Sequence, residues 1–155
     1  MKHFLKIAMP LALAMVLAAC AVPAPQPEST ASTPKASAAP VLTAQVLAGS
    51  VWSAGFIDGV GAARGNWPQL RWVGTDRVAG SGGCNNFVGS AVLEQDSLRF
   101  GSLAATGKLC MTEPGGQEDK FFMALELTRK ARLEGTQLWL LDASGKPLVK
   151  LERLN

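Results

Sequence analysis

The residues of this sequence best suited to covalent chemistry are three cysteines, Cys20, Cys84 and Cys110. A thiol can accept a lipid, pair as a disulfide or, as a thiolate, attack an electrophile. The neighbours of each cysteine indicate which chemistry applies. Cys20 differs from the other two because it follows an uncharged apolar run near the start of the chain.

The segment before Cys20 has the layout of an export signal. Lys2 and Lys6 precede a run from position 7 to 19 that is mostly Ala, Leu, Met and Val. A positive start, a short apolar core and small residues at the cut are the three parts of a secretory signal. A transmembrane anchor is the alternative, but a span needs about 20 apolar residues, and this run is shorter and contains Pro10. We therefore expect residues 1–19 to be a cleaved signal peptide.

The sequence Leu17-Ala18-Ala19-Cys20 resembles a lipobox, the site that lipoprotein signal peptidase cuts after a diacylglyceryl group is placed on the cysteine. The alternative is an ordinary cleavage site beside a chance cysteine. Acyl chains such as palmitate on Cys20 would anchor the mature protein to a membrane. Ala21, where an Asp would favour the inner membrane, points to the outer membrane. The predicted location is the bacterial cell envelope, on the outer membrane and facing the periplasm.

Removal of the signal peptide also removes whole classes of chemistry. The mature chain has 155 − 19 = 136 residues and contains neither histidine nor tyrosine, because His3 lies in the signal. This excludes Ser-His-Asp and Cys-His catalysis and histidine-ligated metals. Acid–base work would fall to carboxylates or lysines. We predict no catalytic residues, no metal and no cofactor.

The net charge argues against a nucleic-acid partner. The formal charge of +3 includes Lys2 and Lys6, so the mature chain carries +3 − 2 = +1. No basic block or alternation of basic and aromatic residues occurs, and nucleic-acid binding needs such a footprint. The partners expected instead are a membrane, through Cys20, and an envelope protein or an apolar ligand.

Cysteine parity predicts one disulfide. Once Cys20 carries lipid, Cys84 and Cys110 remain as an even pair in an oxidising compartment. Their bond would close a loop of about 27 residues and contribute roughly 3–4 kcal/mol in the chain-entropy model. The alternative is one reactive thiol and one buried thiol.

The rest of the chain divides into a tether and one domain. Residues 20–45 carry the lipidated cysteine and five prolines among Ala, Ser and Thr, a composition that favours extended conformations and buries no core. Residues 46–155 form the domain, with short strands separated by turn residues. The strands are predicted at Val51–Ser53, Leu70–Val73, Arg77–Gly80, Ser90–Glu94, Ser97–Phe100, Leu138–Leu141 and Leu148–Leu151, with another ending near Leu133.

One segment has helical instead of strand periodicity. Between Pro114 and Arg129, Phe121, Phe122 and Leu125 form one apolar face, and acidic residues precede basic ones. Thr112 is a plausible N-cap. The predicted fold is mostly β: an antiparallel sheet with one packed helix. The region Gly55 to Gly65 is predicted to be a loop or an irregular hairpin.

Three features could bind a ligand, and each has a structural interpretation that we favour. The stretch Gly80 to Phe87 lacks the Lys and Ser/Thr of a phosphate loop, so its Gly and Asn residues indicate tight turns. Glu118 and Asp119 are adjacent on the helix and suit its dipole better than a catalytic pair. The tryptophans could stack on a sugar or lipid but are more often core residues; they are Trp52, Trp67, Trp72 and Trp139.

These features together resemble the META domain of HslJ-like bacterial proteins. The resemblance covers about residues 47–154 and rests on an ordered set of positions: Trp52, Val78, Gly80, Gly83, Cys84, Asn85, Phe87, Gly89, Leu103, Thr106, Cys110, a Glu before Phe121 or Phe122, and Leu138-x-Leu140. It implies a small, partly barrel-like β domain with a helix, a bond between the paired cysteines and an association with stress response. Leu109 departs from the usual Ala before the second cysteine.

Three functions are compatible with these residues. The first is a non-enzymatic, membrane-tethered envelope lipoprotein that binds a partner or supports the envelope under stress. The second is a carrier of a lipid or other apolar ligand in a partial β-barrel. The third is a carboxylate enzyme acting on cell-wall glycans, which would need two carboxylates roughly 5–9.5 Å apart across a cleft.

Overall fold

The computed structural model describes residues 41–109 and 116–155 of the chain. It contains two helices and ten strands within these ranges. The elements in chain order are α1 (Ala44–Leu47), β1 (Val51–Ile57), β2 (Val60–Gly61), β3 (Gln69–Trp72), β4 (Arg77–Ser81), β5 (Asn86–Glu94), β6 (Ser97–Phe100), β7 (Ala104–Ala105), α2 (Gln117–Leu127), β8 (Lys130–Glu134), β9 (Gln137–Leu141) and β10 (Pro147–Arg153). Neither helix is long and apolar enough to cross a membrane.

The strands of the described residues form a closed antiparallel barrel. The order around the sheet is β10, β9, β8, β6, β5, β4, β3 and β1, and β1 then pairs with β10 to complete the ring. Trp52 of β1 shows the closure, since it pairs with Leu70 on one side and Arg153 on the other. The short strands β2 and β7 extend the sheet from β1 and β5. The prediction of an antiparallel, partly barrel-like sheet with one packed helix is confirmed. The sheet in fact forms a fully closed barrel.

Alternation of side chains determines the inside of this barrel. Successive residues of a strand point to opposite faces, and in β3 Leu70 and Trp72 are buried while Gln69 and Arg71 are exposed.

Each predicted strand is present, although most are one to several residues longer than the apolar signal alone suggested.

The interior is filled with side chains. Trp52, Trp72 and Leu47 have no exposed surface, and they belong to one cluster with buried residues of both helices and most strands. Fully burying one such side chain contributes on the order of 1.5–3 kcal/mol. The barrel therefore derives its stability from a solid core.

Helix α2 supplies the part of the core that comes from outside the sheet. Phe121 and Leu125 are fully buried at the predicted i, i+4 spacing, and α2 packs against β1, β6, β9 and β10. The helix begins after Gly116 as N-cap, so Thr112, which lies outside the described residues, is not the cap. Arg129 follows the last turn and donates to the carbonyl oxygens of Glu126 and Thr128 at 2.7 Å.

The packing begins before the predicted domain boundary at residue 46. Leu42 is 8% exposed and belongs to the core cluster. Thr43 caps α1, with its hydroxyl accepting from the backbone N–H of Val46 at 3.2 Å. Some residues of the segment assigned by composition to the tether therefore pack with the domain.

The region predicted as a loop or irregular hairpin contains a tight hairpin. Strand β1 continues to Ile57, and the chain reverses at Asp58 and Gly59, both with positive φ angles, of 44° and 83°. It then returns as β2, with Phe56 opposite Gly61. Burial of Ile57 in the core explains the longer strand, since a Gly-rich composition does not reveal which residue packs inward.

Candidate functional site

The turn between β4 and β5 is stabilised by hydrogen bonds among its own residues. The N–H of Gly82 donates to the carbonyl oxygen of Asn85 at 2.8 Å, and the N–H of Gly83 donates to the Ser81 hydroxyl at 3.1 Å. Gly83 has a φ of 116°, a conformation that favours glycine. This geometry agrees with the prediction that the stretch Gly80 to Phe87 forms a tight turn and not a phosphate-binding loop.

A buried carboxylate from α2 holds this turn. Glu118 is 8% exposed, and its side chain accepts from the backbone N–H of Asn85 at 2.6 Å and from the Asn85 side-chain amide at 3.2 Å. Buried charges are tolerated where hydrogen bonds replace water. Glu118 lies in the first turn of the helix, as the dipole argument required, but it also links the helix to the turn.

Asn85 extends the link to a third segment. Its side-chain oxygen accepts from the hydroxyl of Thr106 and from the backbone N–H of Lys108, both at 2.8 Å. The backbone N–H of Thr106 in turn donates to the carbonyl oxygen of Asn86 at 2.9 Å. One asparagine therefore organises the chain after β7, which accounts for the Asn and Thr positions of the sequence pattern.

Gly82 has no room for a side chain at this junction. A Cβ atom there would lie 2.6 Å from a carboxylate oxygen of Glu118 and 3.0 Å from the ring of Phe122. Phe122 itself packs edge-on against Phe87, with ring centroids 5.5 Å apart. The glycine is therefore a packing requirement of the Glu118 contact.

A second loop, residues 62–68, joins the same end of the barrel. The side-chain oxygen of Gln117 accepts from the N–H of Ala63 at 2.5 Å, and its amide donates to the carbonyl oxygen of Asn66 at 2.8 Å. Asn66 also lies beside Gly83, where a Cβ atom would be 3.0 Å from its carbonyl oxygen. We call these converging segments, residues 62–68, 81–85, 106–108 and 117–118, the loop cluster.

An open cleft lies next to the loop cluster. It has a volume of about 520 Å³ and is lined by Gly65, Asn66, Trp67, Gln69 and Ser81. A second cleft of about 300 Å³ shares Gln69 and Ser81 with it and continues to Arg71, Ala79 and Val88. We refer to the two together as the Trp67–Arg71 cleft.

The four tryptophans occupy different environments. Trp52 and Trp72 are core residues with no exposure. Trp139 is half-buried on the outer wall between two cations, with the Arg132 guanidinium 5.8 Å and the Lys150 ammonium 5.6 Å from its ring centroid. Trp67 is 53% exposed. Only this tryptophan therefore offers most of its indole to solvent.

The structure describes some predicted site residues and not others. Cys84 is half-buried in the loop cluster. Cys20 and Cys110 lie outside the described residues, so lipidation and the disulfide stay predictions. Sequence reasoning did not single out Gln69, Arg71 or Ser81 as cleft residues; alternation along β3 could have placed the first two on the outer face.

No clustered metal ligands occur in the described part of the chain. No group of three or more His, Cys, Asp or Glu side chains there could hold a metal ion. Glu118 is the buried carboxylate of these residues, and its oxygens already accept hydrogen bonds from Asn85. What the geometry offers is therefore a rigid surface with an exposed aromatic ring.

Comparison with known proteins points to one family. The family model described as the META domain matches residues 45–154. An NMR structure of a protein from Burkholderia xenovorans is 27% identical, with a TM-score of 0.54, and the match covers 84% of this chain and 97% of that one. A second NMR structure is 22% identical, with a TM-score of 0.57 and coverage of 72% and 94%, and shows the fold alone. No curated protein matches the sequence.

Proposed function

The chain belongs to the META domain family, and from that premise we propose that it is a non-enzymatic lipoprotein of the bacterial cell envelope that presents a rigid partner-binding barrel near a membrane. The observation that carries the proposal is the lipobox-like sequence Leu17 to Cys20, followed directly by a proline-rich segment. An acyl anchor followed by an extended spacer would hold the folded domain near the membrane surface, where the domain can meet its partner.

The barrel suits a role in binding better than one in catalysis. Its loop cluster joins four segments through hydrogen bonds, and the Glu118 carboxylate is engaged there with Asn85. A general acid or base must be free to exchange a proton with a substrate. Supporting hydrogen bonds of the kind found in the loop cluster fix the geometry of a binding surface.

The carrier hypothesis has weaker support. A ligand inside the barrel would have to displace side chains that have no exposure, such as Trp52, Trp72 and Leu140. The cleft lined by Phe100, Leu103 and Phe122 is open to the surface and has a volume of about 520 Å³. Native mass spectrometry of the protein from membrane extracts tests this alternative, since a co-purifying lipid would favour it.

The anchor is tested by the mass of the mature amino terminus. Protein purified from bacterial membranes should begin at Cys20 and carry several acyl chains, and Cys20→Ser should leave the membrane fraction. Cys84→Ser serves as the matched cysteine control, because it should keep the acyl mass. An unmodified Cys20, or retention of residues 1–19, would overturn the proposal.

The binding role is tested in the native envelope. A gene deletion is expected to sensitise cells to envelope stress or antibiotics, and crosslinking of the lipidated protein is expected to capture a specific envelope component. A deletion without a phenotype, together with no crosslinked partner, would count against a binding function.

A further inference from the structure

We propose that the Trp67–Arg71 cleft binds a carboxylate-bearing glycan. The inference deepens the function proposed above, on which it rests for the source of the ligand, by naming the chemistry of a partner. Trp67 lines the cleft and is 53% exposed. Within the described residues, no aromatic ring or cation packs on its indole, in contrast to Trp139. The apolar C–H face of a sugar ring packs well on such a surface.

The polar lining of the cleft matches the hydroxyl and amide groups of a glycan. Gln69 and Asn66 each offer an amide, and Ser81 offers a hydroxyl. Amides and hydroxyls both donate and accept, as sugar hydroxyls and N-acetyl groups do. Small numbers of such groups around an apolar surface are typical of ligand sites.

Arg71 supplies the charge preference. It is the one charged side chain among the residues that line the two clefts. No carboxylate within residues 41–109 or 116–155 forms a salt bridge with it, whereas Arg132 pairs with Glu134 at 2.9 Å. A guanidinium forms bidentate hydrogen bonds with a carboxylate. The ligand should therefore carry one.

The spacing of these residues requires an elongated ligand. Gln69 and Arg71 alternate with the buried Leu70 and Trp72 in β3, so both lie on the outer face of the barrel. Trp67 lies in the loop before β3 and lines the first cleft, whereas Arg71 lines the second, and Gln69 is shared by both. A ligand that stacks on Trp67 and pairs with Arg71 must therefore extend through both clefts.

Other ligand classes fit this face less well. An extended peptide binds sheets by adding a strand to a free edge, but β3 is paired on both sides, with β1 and β4. A nucleic acid needs several cations, and this cleft has one. Beside Trp67, a lipid chain would have to pack against the amides of Asn66 and Gln69 and the hydroxyl of Ser81.

The test is calorimetric titration of the full lipidated chain in detergent micelles with three oligosaccharide probes. These are muramic-acid oligomers from cell wall, uronic-acid oligomers and neutral N-acetylglucosamine oligomers. Binding of either acidic probe, more tightly than the neutral one, is expected; which acidic probe binds identifies the source. Failure of both acidic probes to bind, or equal binding of the neutral probe, would overturn the proposal.

Variants connect the binding to the cleft. Trp67→Ala should weaken acidic-probe binding by roughly tenfold or more, and Arg71→Gln should do so while leaving the weak neutral binding unchanged. The matched controls are Leu127→Ala and Arg99→Gln, which change exposed residues outside the cleft. Control-like behaviour of both cleft variants would refute the site. The mass of Cys20 in the same sample tests the anchor separately, so the two proposals can fail independently.

Discussion

Two turns of this barrel are each organised by one carboxylate, but the carboxylates reach them from very different distances along the chain. Asp142 accepts from the backbone N–H of Ser144 at 2.8 Å and of Lys146 at 2.9 Å, within its own turn. Glu118 accepts from the N–H of Asn85, 33 residues away, at 2.6 Å. The turn at Asp142 is stabilised by residues within the turn itself. The turn at Asn85 gains its carboxylate contact only when helix α2 packs against the sheet.

Burial separates the two turns as well. Asp142 lies at the exposed end of a hairpin, where water can replace a lost hydrogen-bond partner. Glu118 is 8% exposed, so water has little access to its carboxylate. Loss of a buried partner leaves the full desolvation penalty of the other group. Similar hydrogen bonds therefore contribute different amounts to stability, depending on how deeply their partners are buried.

The largest effect is expected from Gly80→Ala, at the start of the Glu118-linked turn. A Cβ atom there would overlap the carbonyl oxygen of Gln69 and lie 2.7 Å from the ring of Phe87. Overpacking costs about 1–3 kcal/mol and sometimes more, and backbone cannot yield as a side chain can. Urea unfolding should show a loss of roughly 3 kcal/mol or more. The control is Gly74→Ala, where nothing lies within 4 Å; equal losses would contradict the packing argument.

The next largest effect concerns the predicted Cys84–Cys110 disulfide. Its reduction should destabilise the domain by roughly 3 kcal/mol, because the unfolded chain regains the entropy of an open loop. Thiol labelling of the unfolded, unreduced protein should find neither cysteine reactive. Two labelled cysteines would show that the turn is held without a covalent link.

Glu118→Ala should cost about 1–3 kcal/mol, since it removes the acceptor that Glu118 offers to the part-buried Asn85 N–H, while the Asn85 side-chain amide keeps the Lys108 carbonyl oxygen at 3.3 Å. Glu118→Gln keeps the shape and one acceptor oxygen, and should recover part of the loss. Asp119→Ala, at the exposed neighbouring position, is the comparison variant. An equal unfolding free energy for Glu118→Ala and Asp119→Ala would show that the Glu118–Asn85 hydrogen bonds add no stability of their own.

The smallest effect belongs to Asp142 and depends on pH. Hydrogen bonds from the Ser144 side chain and then from the Lys146 backbone lower the pKa of Asp142 below its ordinary value of 3.8. Its stabilisation is therefore fully present above the unfolded pKa and is lost as pH falls through the lower folded pKa. Asp142→Asn should reduce the melting temperature slightly at pH 7, and the difference from wild type should shrink below about pH 4.

The control for this pH effect is Asp76→Asn, an exposed turn carboxylate. This variant removes one negative charge from another turn, so it separates the loss of a charge from the loss of the Asp142 hydrogen bonds. A difference for Asp142→Asn that widens as pH falls would contradict the sign of the argument.

Much of the fold follows from local pattern. Alternation in β3 and the i, i+4 spacing of Phe121 and Leu125 identify inward faces, because period 2 and period 3.6 are properties of the backbone itself. The turn at Asp142 is likewise visible in its Asp-Ala-Ser-Gly composition. These features require only residues that are close in the chain.

The candidate cleft was only partly predictable. On sequence grounds the tryptophans are residues that could stack on a ligand, but residue type alone does not distinguish the buried Trp72 from the exposed Trp67. That difference arises because Trp72 points into the ring of strands and Trp67 lies in the loop before β3. Arg71 becomes a candidate only when its neighbours across the sheet are known.

The sequence by itself determined eight of the ten strands of the described residues, helix α2 and the family resemblance, since each depends on the order and spacing of nearby residues, whereas α1, β2 and β7 were not predicted. The tertiary structure alone decided the closure of β1 on β10, the partner of Glu118 and the exposure of Trp67. Those three depend on contacts between residues far apart in the chain. Their energies arise only after the barrel has formed, and no local pattern records them.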